Sequence, residues 1–367
     1  MEPLQIGNLK VDVPIIQGGM GVCISLSGLA AAVANEGGAG IISAVGIGMT
    51  EPNYRKHFKE SNLIAFRKQI RKARAETTGV LGANIMLAVS DYEDLLKVAI
   101  EEGLDMVVLG AGLPLHKPES ISDELFRYTN TKFIPKVSSA KATRLIFSYW
   151  STKHSRIPDA VVIEGSLAGG HLGFKMAELE NSPASLESIV KETKEVLKPF
   201  EQKHGRRIPI IAGGGIYTGK DIHKIMEAGA NAVKMGTRFV TTHECDADIK
   251  FKESYLKASK EDITLIQSPV GLPGRVIKNE FVEQIKNGMK KPVKCPWKCL
   301  KNCNFKEVPY CIAEALFNAA QGDMENGFAF AGTNAYRATK IESVKEVMSS
   351  LVEEYHQAAN KLKLKVA

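Results

Sequence analysis

The chain has 367 residues, 44% of them hydrophobic, enough to bury one large core; a barrel with an appendage suits that length better than several small domains. No run approaches eighteen apolar residues, and the opening MEPLQIGNLKVDVPIIQ has neither the charged nor the apolar block of a signal peptide, so a soluble, cytoplasmic protein without a membrane partner is expected. The 48 Lys and Arg against 41 Asp and Glu leave a charge of +7, which mildly favours anionic ligands but is too dispersed for nucleic acid, since no basic stripe with interleaved aromatics appears.

In chain order, one theme repeats: a β-branched apolar run, a small or polar turn, then a helical pattern. The runs are VPIIQGGM (13–20), AGIISA (39–44), GVLGANIML (79–87), MVVLGAG (106–112), KFIPKVS (132–138), AVVIEGS (160–166), IPIIAGGG (208–215) and AVKMGTRFV (232–240). Amphipathic stretches such as SLSGLAAAVANEGG, DYEDLLKVAIEEG and GKDIHKIMEAG lie between them, each closing on glycine as helix C-termini tend to do. Continuous hydrophobicity is expected of parallel strands buried on both faces. Eight strand and helix units closing on themselves predict an α/β fold, a (β/α)8 TIM barrel, over residues 1–243; a doubly wound open sheet would need fewer strands or two domains.

After residue 243 the rhythm breaks. A polar helix, ECDADIKFKESYLKAS, leads to the Pro and Gly-rich SPVGLPGR, then to a basic segment with four of the six cysteines, and finally to a helix, SVKEVMSSLVEEYHQAANKLK. Residues 244–367 are therefore expected to form a helical, cysteine-containing C-terminal extension packed on the catalytic mouth of the barrel.

Barrel enzymes carry working residues at the C-terminal ends of their strands. In the seventh and eighth runs those ends are glycine turns, where Gly213, Gly214, Gly215, Gly236 and Thr237, the last two directly after Met235, would offer bare backbone N–H groups to a phosphate. A phosphate-tailed cofactor such as FMN is held this way in such barrels; a lone Gly-Gly pair would be turn punctuation, but here two such turns follow one another. The polar side chains at the other strand ends are Gln17, Asn84, Lys136, Glu164 and His171. His171 closes VVIEGSLAGGHLG, where Gly165, Gly169, Gly170 and Gly173 bare the backbone for a flat ring system, although a structural histidine is also compatible. Asn84 is a costly passenger in an apolar strand unless its amide meets a partner, and flavin ring edges carry such partners. Lys136 could serve the N1 and C2 carbonyl region of a flavin or face solvent at the rim.

The segment KCPWKCLKNCNFKEVPYCI sets Cys295, Cys299, Cys303 and Cys311 at spacings of four, four and eight. Four clustered thiols in a reducing compartment suggest a metal, as a structural zinc or an iron–sulfur cluster, with reduced structural thiols and a redox-active pair as the alternatives. A cluster near a flavin would be a route for electrons.

The set PIIQGGMGV (14–22), ANIML (83–87), IEGSLAGGHLG (163–173), AGGGI (212–216), VKMGTRF (233–239) and FAGTNAYRA (330–338) resembles the nitronate monooxygenase family, formerly 2-nitropropane dioxygenases, which also contains flavin-dependent enoyl-acyl carrier protein reductases. The resemblance covers nearly the whole chain in the expected order. It implies FMN with its phosphate at Gly214, Gly215, Gly236 and Thr237, and its ring contacted by Asn84, Glu164, Gly169 and the first-strand turn at Met20 and Gly21. The family's histidine falls on His171, as a base or as the electrostatic partner of an anionic substrate. Two activities follow from it: oxidation of alkyl nitronates with O2 to carbonyl compounds and nitrite, which leads, or NAD(P)H-dependent reduction of an enoyl thioester. Leu167 stands where many members carry an acidic residue, and Glu164 where many monooxygenases carry Gln, so contacts of those side chains do not transfer directly.

Overall fold

The structure is a computed structural model that describes residues 1–154, 156–181, 183–291, 294–295 and 297–366. Eight parallel strands close into a barrel: β1 (Ile15–Gln17), β2 (Ala39–Ser43), β3 (Val80–Met86), β4 (Met106–Gly110), β5 (Lys132–Val137), β6 (Val161–Glu164), β7 (Ile210–Gly213) and β8 (Ala232–Met235). Each pairs with the next in sequence, and β8 returns to β1 through Val233 opposite Ile15 and Met235 opposite Gln17. All eight expected runs are strands, and the fold is the (β/α)8 barrel. The runs overshoot at their C-terminal ends, where the chain turns into glycine-bearing loops; residues Thr237–Val240 of the eighth run form a helical turn.

The reason for closure lies in the strands. Every residue of β2 and of β4 is buried, as expected where one face packs on helices and the other fills the barrel. Ile16, Ile41, Met106, Val108, Ile134, Val162 and Ile211 form a plug inside the barrel, stoppered below by a hairpin of Leu4–Ile6 and Leu9–Val11. Gln17 is part of this frame and not of the mouth: it is fully buried, its amide bonds Gly18 O, and its Oε1 accepts from Ile41 N at 2.8 Å.

The helices stop where the sequence says they should. Those over Ser27–Asn35, Tyr92–Glu101 and Gly219–Glu227 are followed by Gly37, Gly103 and Gly229, with φ of +78°, +68° and +115°, backbone that glycine adopts without strain. The first of them starts on a borrowed cap: half-buried Asp246 accepts from the N–H groups of Leu26, Gly28 and Leu29 at 2.7, 3.1 and 3.2 Å.

The C-terminal helix, Val344–Val366, lies on the barrel wall between two of its helices: Gly219 approaches Leu351 and Tyr355 so closely that a Cβ would stand 2.2 Å from Leu351 O, while Met348 reaches Gly38. The chain between β8 and this helix crosses the mouth. It includes a helix at Ile249–Lys257 and a hairpin of Ile263–Gln267 and Pro273–Ile277, whose second strand pairs with Gly170–His171. The Pro and Gly-rich SPVGLPGR is the turn and the start of the second strand of that hairpin, with Gly271 at φ +80° allowing the reversal. Among the described residues no helix is long and apolar enough to cross a membrane.

Candidate active site

A pocket of about 520 Å³ opens at the C-terminal ends of the strands. Met20, Gly21, Asn84, Lys136, Glu164, Gly169, Gly170, His171, Gly214, Gly215, Met235, Gly236 and Thr237 all line it; of the cysteines, Cys299 reaches it and Cys295, Cys303 and Cys311 do not. The intervening chain supplies the outer wall through Tyr255, Val270, Leu272, Leu316 and Phe330. A second, wider groove at Lys250, Glu253, Asp262 and Lys278 mixes both signs of charge and contains none of these residues.

At one end lies the glycine cradle. Gly214 and Gly215 have φ of +103° and +80°, and a Cβ on Gly214 would stand 2.9 Å from Gly165 O. Among the described residues the N–H groups of Gly214, Gly215, Gly236 and Thr237 meet no acceptor, which leaves four donors at adjacent strand ends. The 330–338 motif braces this end: Asn334 donates to Gly215 O at 2.7 Å and Gly332 N to Thr237 Oγ1 at 3.0 Å. Gly169 is needed because Ala331 and Gly332 press on it, at 2.5 Å from where its Cβ would be. The cradle fits the phosphate tail of FMN.

The floor is charged. Lys136 of β5 and Glu164 of β6 form an ion pair with Nζ 2.8 and 2.7 Å from the two carboxylate oxygens, both side chains mostly buried. Lys136 therefore does not face solvent, and its charge is shared with Glu164. Lys234 of β8 joins them, half-buried; burial and then Lys136 lower its pKa to about 8, with Glu164 opposing. Two lysines thus face one carboxylate, leaving the floor positive at neutral pH. Asn84, 9% exposed, has a side-chain amide without a hydrogen-bond partner among the described residues, so it is free for a ligand.

His171 stands opposite. Its Nε2 is 2.7 Å from Ser268 Oγ, and Phe330 meets the ring edge-on at 4.9 Å between centroids. Burial, then the Lys136 charge, lowers its pKa to about 4 against the pull of Glu164, so at pH 7 it is a neutral imidazole that can take a proton but offers no positive charge. Arg275, buried among the loop carbonyls, donates to Ser166 O at 2.7 Å and also to Ala168 O; desolvation brings its pKa to about 10. It fixes the loop that delivers Gly169 to His171.

Sequence reasoning missed Lys234, Ser268, Arg275 and the buried pair Asn62–Asp91, whose side chains bond at 2.6 Å on the pocket wall. Lys234 carries the mark that singled out Asn84, a polar residue in an apolar strand. Ser268 and Arg275 had no such mark, since their neighbourhood has no strand rhythm to break.

The four cysteines are free and half-buried. Among the described residues no three Cys, His, Asp or Glu side chains converge as a single metal ion requires, so the expectation of a structural zinc finds no ligand set.

A model of the nitronate monooxygenase family matches residues 2–354. A dehydrogenase of Mycobacterium tuberculosis named for (3aS,4S,5R,7aS)-5-hydroxy-7a-methyl-1-oxo-octahydro-1H-indene-4-carboxyl-CoA is 26% identical over 280 residues, 76% of this chain and 67% of that protein. A probable nitronate monooxygenase of Staphylococcus saprophyticus is 26% identical over 303 residues, 76% of this chain and 79% of that one. Among solved structures, FabK from Thermotoga maritima superimposes with a TM-score of 0.74 at 30% identity, covering 96% of both chains. With the barrel, the glycine cradle and the histidine loop in the order the motifs require, the chain is an oxidoreductase belonging to the nitronate monooxygenase family.

Proposed function

We propose that the protein is an FMN-dependent oxidoreductase that oxidises alkyl nitronates with O2 to carbonyl compounds and nitrite. The observation that carries the reading is the pairing of a four-donor cradle with a floor of two lysines and one carboxylate, which suits a phosphate at one end and an anionic reactant at the other. Bound FMN supplies the electron-accepting chemistry that no side chain here can perform. Gly214, Gly215, Gly236 and Thr237 hold the phosphate, Asn84 and the Lys136–Glu164 pair engage the ring edge, and Met20, Gly21, Met235, Gly169 and Gly170 line its bed. His171, neutral and tethered to Ser268, takes the Cα proton of a neutral nitroalkane or orients the nitronate already formed. Phe330, Val270 and Leu272 keep water from the reacting face.

A second reading is NAD(P)H-dependent reduction of an enoyl thioester. It is favoured by the coenzyme A thioester in the name of the mycobacterial relative and by the apolar outer wall at Val270, Leu272 and Leu316, which suits an acyl chain. Anaerobic mixing of the holoprotein with an alkyl nitronate, with NADH and with NADPH, followed at the flavin absorption band, separates the two. Bleaching by the nitronate alone is expected. No bleaching by nitronate together with rapid bleaching by a nicotinamide would transfer the assignment to the thioester reaction.

A further inference from the structure

Between the helices Glu280–Lys286 and Ile312–Ala320 the chain runs from 287 to 311, and among its described residues there is no helix and no strand. A stretch of that length inside a compact fold is unusual unless something other than backbone pairing holds it. It is nevertheless held. Ser90 N donates to Cys299 O at 3.0 Å and Lys301 N to Ala88 O at 2.9 Å, which ties the segment to the loop after β3. Trp297 stacks on Phe58 with centroids 5.0 Å apart, and its indole N–H donates to Arg55 O at 3.1 Å.

At the centre of this segment Cys295, Cys299, Cys303 and Cys311 all line one small cleft, with no disulfide among them. Val270, Leu300, Phe305, Val308 and Ile312 make much of the remaining wall apolar. Four soft thiol ligands gathered around one cleft are a ligand set that a bound metal centre would use.

The arrangement of the thiols bears on the kind of centre. A tetrahedral zinc with its sulfurs at about 2.3 Å holds them at roughly 3.8 Å from each other. Among the described residues no three possible ligands converge that way. A polynuclear centre, several atoms across, binds thiolates that surround a cleft without converging on a point. Charge agrees with this. Lys290, Lys291, Lys294, Lys298, Lys301 and Lys306 fall between residues 290 and 306 with no acidic residue among them, and Lys298 lines the cleft itself. A cluster ligated by four thiolates is a net anion, and these lysines would offset it.

We propose that Cys295, Cys299, Cys303 and Cys311 ligate an iron–sulfur cluster at the back of the active-site pocket wall. The cleft and the pocket share Val270, Cys299, Leu300, Ile312 and Ala313, so Cys299 borders both. Ligation of the cluster does not depend on which substrate the pocket takes.

The test is the composition of the full chain purified without oxygen. Iron, acid-labile sulfide and zinc are each determined per chain, before and after reconstitution with ferrous iron and sulfide under reducing conditions, and FMN is counted separately from its fluorescence after release. Iron and sulfide in equal amounts, about two or about four of each per chain, are expected. Their loss is expected in Cys299→Ser and in Cys303→Ser, while Cys245→Ser, outside the cleft, keeps them. Stoichiometric zinc without iron would overturn the proposal. So would a reconstituted wild-type protein free of iron whose four thiols react with a thiol reagent. Both of these outcomes are read on the wild-type chain, so a variant that fails to fold changes neither, and a missing flavin is measured independently of a missing cluster.

Discussion

His171 should make the stability of the apoprotein fall on the acid side in a way that one substitution removes. Its pKa is lowered from 6.5 to about 4 in the folded chain, chiefly by burial and then by Lys136. A group lowered in the folded state stabilises it fully above the unfolded pKa, and that contribution is lost as pH falls from 6.5 towards 4, because the unfolded chain binds the proton first. The shift of two and a half units corresponds to about 3 kcal/mol in total, of which about 2 kcal/mol is lost between pH 7 and pH 5. Urea unfolding of the wild type and of His171→Asn at pH 7, 6 and 5 measures this, the asparagine retaining a polar group for Ser268. The wild type should lose about 2 kcal/mol more than the variant over that span. Parallel stability curves would mean that the imidazole is not held neutral, and its role as a proton acceptor would lose its physical basis. In turnover, the same neutral state places the acid limb of kcat/KM well below 6.5, and His171→Asn should keep FMN while losing most of the rate.

Gly236→Asp tests the cradle. The backbone there is ordinary, with φ of −102°, and an added Cβ meets only the flexible end of Met20 at 3.3 Å, so the apoprotein should fold normally while FMN binds at least about 100-fold more weakly beside the new carboxylate. Titration of FMN fluorescence reads the affinity, and an unchanged Kd would place the phosphate elsewhere. Lys234→Met removes the half-buried cation beside Lys136 and Glu164; the midpoint potential of bound FMN should fall, because an anionic reduced ring loses its counter-charge, and a spectroelectrochemical titration showing no change would remove Lys234 from the floor's electrostatics. Asp246→Ala strips the acceptor from three N–H groups at the start of the Ser27–Asn35 helix and should cost about 2–4 kcal/mol by urea denaturation, with Asp246→Asn recovering part of it.

The barrel was legible because its strands are buried on both faces, and burial leaves the same mark in the sequence as in space: AGIIS and MVVLG are unbroken apolar runs and unbroken buried strands. The ends of those runs were less so. Gly-Gly-Met after β1 and Thr-Arg-Phe-Val after β8 continue the hydrophobic count but leave the sheet, because periodicity does not register the φ values that turn the chain. Lys136 and Glu164 were each visible as polar residues at strand ends. Their bond was not, because it depends on the register that sets Lys136 opposite Val162 and Val137 opposite Ile163 across β5 and β6. Ser268 reaches His171 from 97 residues away through a hairpin in a segment whose Pro and Gly content reads as loop, so its contact could be found only in three dimensions.

That contact also shows how the two parts of the chain divide the chemistry. The barrel's own strands and loops supply the donors for a phosphate, the ion pair and the imidazole, but not the conditions under which the imidazole stays neutral. Burial is the largest cause of its lowered pKa, and the groups packed on it from outside the barrel are Ser268 and Phe330, with Gly274 and Arg275 pairing against Gly170 and His171 to hold the strand in place. Phe330 is fixed in turn from both sides: its carbonyl accepts from Tyr255, and Gly274 lets its ring approach to 2.9 Å from where a Cβ would be. A bulkier residue at 274 would push the ring away, admit water to His171 and let its pKa rise towards 6.5 without touching a single group of the cradle. Cofactor affinity and proton affinity are therefore separable properties of this site, the first belonging to the ends of β7 and β8 and the second to the chain that crosses the mouth.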